Sequence, residues 1–337
     1  MFFNNLRKEK HMNLQGGWLT VNRKCNLRCK WCYAKGTNYT NKEMSLELAK
    51  ELTMLMKGVG ILKIIILGGE PTLWKHLFPY NDFCKKEKIA TSIVTNAMMF
   101  GNKEFVKQYE QHPNTRIGVS LKASNSLQLF QVAQNQSFDI MSKGLKYLSK
   151  GRNIALTYNS FYKDRLLIMV DYAIDCGYES VKIDFCTVTF ENGKPVTTYM
   201  VNPKDIVKAI MVNYSVLNQL TKGNIVFEIN FPFCLFPTDF LQDLIERGQI
   251  NSVCQLIKQN GILFDYDGNI MMCNALFDCP IGTYKTDFTT SKELSDFLTS
   301  EKIQGYYDEM NHYPSEQCVE CEQYDMCGGG CPLQWAI

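Results

Sequence analysis

Several familiar signals are missing from this chain of 337 residues, and each absence removes a class of function. No stretch approaches the length of apolar sequence that a membrane-spanning helix needs. The first residues, Met1-Phe2-Phe3-Asn4-Asn5 followed by Arg7, Lys8 and Lys10, lack the apolar region of a secretory signal. A net charge of +2 leaves no excess of one sign to argue for nucleic acid or an acidic surface as partner. No internal repeat and no low-complexity segment is found. What remains, 45% hydrophobic and 21% charged residues, is an ordinary globular balance with room for one large domain and a smaller one. One residue type is in excess. Fourteen cysteines without an export signal point to thiols kept reduced for metal in the cytoplasm rather than paired as disulfides.

The first cysteines to notice are Cys25, Cys29 and Cys32, in the run Cys-Asn-Leu-Arg-Cys-Lys-Trp-Cys. Three thiolates can hold three corners of a four-iron cluster and leave the last iron open, a place to bind and reduce a ligand. A structural zinc knot would need a further N or S ligand, and the first histidine to follow, His76, lies beyond a predicted helix and strand. A disulfide would leave one of the three thiols unpaired.

From about residue 16 to 230, short apolar runs alternate with amphipathic segments. The runs predict strands at Trp18–Val21, Ile64–Leu67, Thr91–Thr95, Arg116–Leu121, Ile154–Tyr158 and Val181–Phe185. Helices are predicted near Ser45–Met56, Leu73–Lys88, Lys103–Gln111, Phe138–Ser149, Asp164–Cys176 and Pro203–Leu220, with Ser45 and Asn202 as N-caps. Such alternation implies a parallel α/β sheet, either curled into a barrel or open, with its site at the carboxyl ends of the strands. The three-cysteine loop follows strand one, Gly68-Gly69-Glu70-Pro71 ends strand two and Thr95-Asn96 ends strand three, so they converge on one rim. The alternation is expected to stop near Phe231–Pro237. This divides the chain into a tail (1–15), a barrel (16–235) and a cysteine-rich region (236–337). In the last, Ile262–Asp265 and Asn269–Met272 read as a hairpin turned at Asp267-Gly268, and Glu293–Met310 as one helix.

The triad with Trp31 in its aromatic slot, and the Gly-Gly-Glu-Pro loop at the expected distance, resemble the radical S-adenosylmethionine superfamily, whose signature is Cys-x3-Cys-x-aromatic-Cys. The resemblance implies a partial (β/α)6 TIM-like barrel and a [4Fe-4S] cluster on Cys25, Cys29 and Cys32. It also implies S-adenosyl-L-methionine bound at the open iron and reductively cleaved to a 5′-deoxyadenosyl radical. Gly68, Gly69, Glu70 and Pro71 would receive the cofactor's ammonium, since glycines allow close approach and a carboxylate pairs with the charge. Trp31 would lie by the adenine. Thr95 and Asn96 would join the rim, and Ser120 and Lys122, alternating on one strand face, would meet the ribose or carboxylate. The family often reads Ser-Leu-Asp-Gly where this chain has Ser-Leu-Lys-Ala.

A second array comprises Cys254, Gly268, Cys273, Cys318, Cys321, Cys327 and Cys331. Cys-x2-Cys spacing alone also suits a zinc ribbon. The whole array resembles the SPASM extension, matching all of its motif but the final cysteine. The resemblance implies one or two auxiliary [4Fe-4S] clusters, with Cys254, Cys273 and Cys331 serving the first and Cys318, Cys321 and Cys327 the second. Both sets lack a fourth thiol, and Cys279 is the closest spare for the first. Cys84, Cys176, Cys186 and Cys234 are expected to be small buried hydrophobes.

Such enzymes mostly modify peptides or proteins by hydrogen abstraction, forming cross-links or oxidising a residue as in sulfatase maturation. That is the leading expectation, with a flavodoxin or ferredoxin-type electron donor. The short segment before strand one has no room for a fused leader-binding domain, so a separate leader-binding protein is expected or none. The alternatives are a radical dehydrogenase of a small molecule, and a non-catalytic iron–sulfur carrier or zinc-stabilised module. No catalytic residue is singled out; Asp184, Tyr158 and Asp278 are candidate acids or bases.

Overall fold

The computed structural model describes residues 14–335 apart from 38–39, 192, 253 and 311–314. The predicted tail before strand one therefore lies almost wholly outside the described residues. Six strands follow the predicted alternation: β1 (Gly16–Thr20), β2 (Lys63–Leu67), β3 (Ala90–Thr95), β4 (Arg116–Leu121), β5 (Asn153–Tyr158) and β6 (Ser180–Phe185). They are parallel and lie side by side in chain order. Their side chains alternate as a sheet requires. Val119, Leu121, Ile154, Leu156, Val181 and Ile183 are buried in the main core, while Ser120, Lys122, Thr157 and Asp184 face a cavity on the other side.

Helices α1 (Leu46–Gly58), α2 (Leu77–Lys86) and α3 (Lys103–Tyr109) connect these strands. Ser45 caps α1 by accepting the Leu48 N–H. Next comes α4 (Ser126–Ala133), which the sequence reading omits, then α5 (Phe138–Leu148), α6 (Leu166–Asp175) and α7 (Pro203–Leu220). Asn202 caps α7 through the Lys204 N–H, with Pro203 in its first turn. A small antiparallel pair, β7 (Thr189–Glu191) and β8 (Lys194–Val196), separates β6 from α7.

Alternation does not stop where the sequence suggested. Strand β9 (Ile225–Glu228), helix α8 (Thr238–Glu246) and strand β10 (Ile250–Asn251) add another unit, parallel to β6. On the opposite edge β11 (Gly261–Phe264) pairs parallel with β1 and turns into β12 (Asn269–Met271), followed by β13 (Gly282–Thr283). The result is one open eleven-stranded sheet in the order β10-β9-β6-β5-β4-β3-β2-β1-β11-β12-β13, an α/β partial barrel with a cysteine-rich C-terminal region. The hairpin forms as read, with Gly268 at φ +88° supplying its turn. The long C-terminal helix does not. Ser300 takes an extended ψ of 148° and divides it into Ser291–Thr299 and Glu301–Met310. No helix among the described residues is long and apolar enough to cross a membrane.

One core cluster unites the barrel and the hairpin. A smaller one, built on Val188, Leu256, Met272, Ala275, Cys331 and Leu333, lies under the C-terminal cysteines.

Candidate active site

At the carboxyl ends of β1 to β6 lies a cavity of about 340 Å³. Cys25, Cys29, Trp31, Cys32, Gly68, Gly69, Glu70, Thr95, Asn96, Ser120 and Lys122 all line it, so the structure brings together the barrel residues singled out from sequence except Pro71. That proline begins the short turn behind the rim.

The thiol loop is seated from several sides. The omitted helix α4 supplies one support, because the Arg28 and Lys30 N–H groups donate to the carbonyls of Ala133 and Val132 at 2.9 and 3.0 Å. Asn135 donates to the Asn26 carbonyl at 3.0 Å, and Asn96 to the Asn26 side chain at 2.8 Å. The Gly-Gly-Glu loop lies directly on the other end of the same segment. Gly69 and Glu70 donate to the carbonyls of Asn22 and Lys24 at 3.0 and 2.8 Å. A Cβ on Gly69 would stand 2.4 Å from the Lys24 carbonyl oxygen, and one on Gly68 2.5 Å from the Asn22 side chain. Both glycines are required by this backbone packing, whatever else they face.

Glu70 differs from the sequence expectation in a similar way. Its carboxylate is buried, and one oxygen accepts from the Thr72 N–H (3.2 Å), the Thr72 hydroxyl (2.6 Å) and the Thr95 hydroxyl (2.8 Å). The other accepts from the Asn96 N–H at 2.9 Å. The side chain thus clamps the loop after β2 to the loop after β3. Burial raises its pKa in spite of those four donors.

All fourteen cysteines are free thiols. Burial pushes the Cys25 thiol up to about 12, with further rises from Glu70, Cys29 and Cys32 and a reduction from the Leu27 N–H. Burial likewise takes Cys29 to about 11, while Lys122 pulls it down. Cys25 and Cys29 therefore sit in a poorly solvated field where only a strong cationic acceptor would make thiolates stable. Among the described residues no three His, Cys, Asp or Glu side chains close around a single ion; a four-iron cluster instead takes each thiolate on a separate iron. The triad fits such a cluster in donor type and in facing one cavity. Trp31 packs edge-on against Tyr162 at 5.3 Å and near Phe161 at 6.3 Å, giving the cavity a firm apolar corner.

The opposite wall is polar. Lys122 donates to Ser120 at 2.7 Å, both facing the cavity. Thr157, Asp184 and Glu228 are in register across β5, β6 and β9. Glu228 is ion-paired with Lys182. Burial raises the Asp184 carboxyl well above its ordinary range, and the neighbouring Glu228 adds to this. Burial also works against Glu228, yet its hydrogen bond to Asp184 and the Lys182 charge hold its pKa down. Asp184 Oδ1 is buried without any hydrogen-bond partner. Of the candidate acids and bases, Tyr158 donates to the Lys163 carbonyl (3.1 Å) away from the cavity, and Asp278 lines a separate hollow beside Arg23 and Asp265. Asp184 is the one that faces the cavity. The sequence held no signal for its pairing with Glu228, which depends on strand register.

Outside the two arrays Cys84, Cys176 and Cys186 are buried as expected, but Cys234 is exposed. It sits beside the cysteine array rather than in the core, because the turn Phe233–Leu235 leaves the barrel there. Burial pushes Cys331 up to about 12, and Cys254 and Cys273 are next among the causes, placing these three thiols together.

Residues 19–162 match the model of the Radical SAM superfamily. A probable GTP 3',8-cyclase of Archaeoglobus fulgidus is 32% identical over 103 residues, 31% of this chain and 34% of the relative. The chain spans only a third to a half of the length of the first such curated relatives. Among solved structures, Streptococcus suis SuiB bound to S-adenosylmethionine is similar with a TM-score of 0.69 at 19% identity, covering 96% of this chain and 75% of that one. SuiB has also been solved bound to precursor peptide SuiA. The enzyme anSMEcpe with bound AdoMet gives a TM-score of 0.68 at 17% identity, covering 94% and 89%. The three thiols and the glycine–glutamate rim both lie inside the stretch 19–162 that matches the Radical SAM superfamily.

Proposed function

We propose that this enzyme removes a hydrogen atom from a side chain of a peptide or protein, with Cys25, Cys29 and Cys32 holding the radical-forming cluster and the C-terminal cysteines one or two auxiliary clusters of the SPASM type. When bound, the reduced cluster and S-adenosylmethionine supply the 5′-deoxyadenosyl radical that makes such abstraction possible. The protein's own part is positional. Gly68, Gly69 and the loop at Thr95-Asn96 frame the cofactor. Trp31 closes its apolar corner, Ser120 and Lys122 offer polar contacts from the facing wall, and the cavity keeps water from the reacting carbon. Asp184 Oδ1 is an acceptor waiting for a donor on the substrate. The observation that carries the peptide reading is that the likeness to SuiB extends through the cysteine-rich C-terminal region as well as the barrel. A flavodoxin or ferredoxin-type donor and, where a leader is used, a separate leader-binding protein complete the proposed partners.

A second reading is favoured by the curated relatives named GTP 3',8-cyclase, whose likeness lies in part of the chain only. On that reading the substrate is a purine nucleotide facing Lys122. One anaerobic experiment separates the two. The iron-loaded chain, S-adenosylmethionine and dithionite are combined either with short peptides encoded beside its gene or with GTP. Deoxyadenosine together with a dehydrogenated or cross-linked peptide supports the first reading, and GTP consumption the second. No deoxyadenosine from fully iron-loaded protein would sink both.

A further inference from the structure

The segment leaving β9 lies along the C-terminal turn of glycines and cysteines. The Asn230 carbonyl accepts the Cys331 N–H at 2.8 Å, and Asn230 is itself anchored to the barrel by donating to the Phe185 carbonyl at 2.7 Å. Gly330, at φ +91°, has space for a bare Cα only, since a Cβ would stand 2.6 Å from the Phe231 Cα. Three residues further along, the Phe233 N–H donates to the Cys327 sulfur at 3.3 Å. The Gly329 N–H donates to the same sulfur at 3.3 Å.

Cys234 is the next residue, and its thiol is exposed. After burial and those two donors, the neighbours that act on the Cys327 thiol are Cys234 and Cys318. Cys318 and Cys321 belong to one turn, the Cys321 N–H meeting the Cys318 carbonyl at 3.4 Å. The Tyr324 N–H in turn meets the Cys321 carbonyl at 3.0 Å. Two groups of thiols result. Cys331 has Cys254 and Cys273 beside it, whereas Cys327 has Cys318 and Cys234.

We infer that Cys234 is the fourth thiolate of the Cys318–Cys321–Cys327 set, so that one iron–sulfur cluster is held jointly by the loop leaving the barrel and by the C-terminal segment. This rests on the reading that the C-terminal cysteines bind an iron–sulfur cluster. Four thiolates leave no iron open, so this cluster passes electrons and does not bind substrate. The two N–H groups directed at the Cys327 sulfur raise its potential. The shared ligand also fixes the C-terminal segment to the barrel wall, where the small apolar core beneath it offers little other support.

The test uses the anaerobically reconstituted full chain and needs no turnover. Native iron-loaded protein is treated with iodoacetamide, stripped with chelator in denaturant, and treated again with heavy iodoacetamide. Mass spectrometry then reads each cysteine. Because Cys279 is itself the spare thiol for the first set, the reference for Cys234 is the same residue in chain stripped by chelator without denaturant. Cys234 is expected to label at least about tenfold more slowly in the loaded chain than in the stripped chain, because a metal-bound thiolate is not free to attack. In a Cys25→Ala, Cys29→Ala, Cys32→Ala background, Cys234→Ser should lower iron and sulfide and remove one reduced-state EPR signal, as Cys318→Ser does. Equal labelling of Cys234 in the stripped chain and in a loaded chain whose C-terminal iron is intact overturns the ligand assignment alone. Absence of iron from that triad-free background overturns the cluster reading beneath it.

Discussion

Replacing Glu70 with alanine distinguishes a carboxylate that receives a ligand from one that holds two loops together. The side chain is 2% exposed, and its oxygens take two backbone N–H groups and two hydroxyls. The hydroxyls can rotate toward other acceptors, but the N–H groups of Thr72 and Asn96 cannot. Each buried donor left without a partner costs about 1–3 kcal/mol. Removing a buried charge returns part of that, so the net loss in Glu70→Ala is about 3 kcal/mol. With a urea slope of about 3 kcal/mol per M, the unfolding midpoint falls by roughly 1 M. Glu70→Gln keeps one acceptor oxygen but turns an NH2 toward the Asn96 N–H, and loses about half as much. Because the folded pKa of Glu70 is raised, its contribution relative to the non-titrating glutamine variant is full at low pH. It fades as pH climbs from the ordinary carboxylate range through the folded pKa. Affinity for S-adenosylmethionine should fall in parallel with stability, since Asn96 also grips Asn26 in the thiol loop. An unchanged urea midpoint accompanied by a ten- to hundredfold loss of cofactor affinity would refute the clamp and restore the ligand-pairing role that the sequence alone favours.

Asp184→Asn should leave the fold intact, because Asn can still donate to Glu228. Its amide oxygen also still accepts, so turnover should hold, whereas Asp184→Ala removes the acceptor and should lower turnover roughly ten- to hundredfold if a charged substrate donor meets Oδ1, while uncoupled deoxyadenosine formation continues; equal loss of both products in Asp184→Ala argues against substrate contact. Asp265→Ala strands the buried Arg23 guanidinium between the thiol loop and the C-terminal hairpin. It should cost about 3–5 kcal/mol in chemical denaturation, and replacing both partners with apolar residues should recover much of that. Glu293 is held to about 2, first by the Thr289 hydroxyl and then by the N–H groups of Thr289 and Thr290. Its folded pKa lies below the unfolded value of 4.5, so its stabilisation is present above that pH and is lost as pH falls from there toward 2. NMR titration of Glu293 and the acid limb of wild type against Glu293→Gln check this.

The strands and most helices could be read from the sequence because each obeys a local rule. Strands β2 to β6 alternate or run apolar over a few residues, and Ser45 and Asn202 mark helix starts by type. Helix α4 escapes that logic. Leu129 and Val132 are buried beside Gln128, but Leu127 and Phe130 are exposed at 67% and 51%, so apolar residues occupy both faces and mark neither. Its importance is also non-local, since its final carbonyls seat a loop a hundred residues earlier. The same holds for the pair Asp184 and Glu228, joined by register, and for Cys234. That residue looked like a core thiol because nothing local shows that the chain returns to it from Cys327. Glu70 was located correctly, but its donors lie in part on another strand, so sequence could supply its charge and not its occupancy.

The two walls of the cavity are built by different means, and this bears on how such a site changes substrate. On the β1–β3 side the thiol loop is fixed by main-chain groups: Arg28 and Lys30 to the end of α4, and Gly69 and Glu70 to Asn22 and Lys24. Main-chain contacts tolerate many side-chain exchanges provided that the glycines persist, because the Gly69 position admits no Cβ. On the β4–β9 side the groups facing the cavity are side-chain ends, Ser120, Lys122, Thr157 and Asp184, on strands whose opposite faces are already buried in the main core. Exchanging one of these ends alters what the cavity accepts without loosening the loop that carries the thiols. The barrel can therefore keep its thiol-bearing half constant while its facing half is rewritten. In this chain that half offers a lysine beside a serine and an aspartate with one oxygen unclaimed, an arrangement better matched to a substrate with both hydrogen-bond acceptors and donors than to a purely apolar surface.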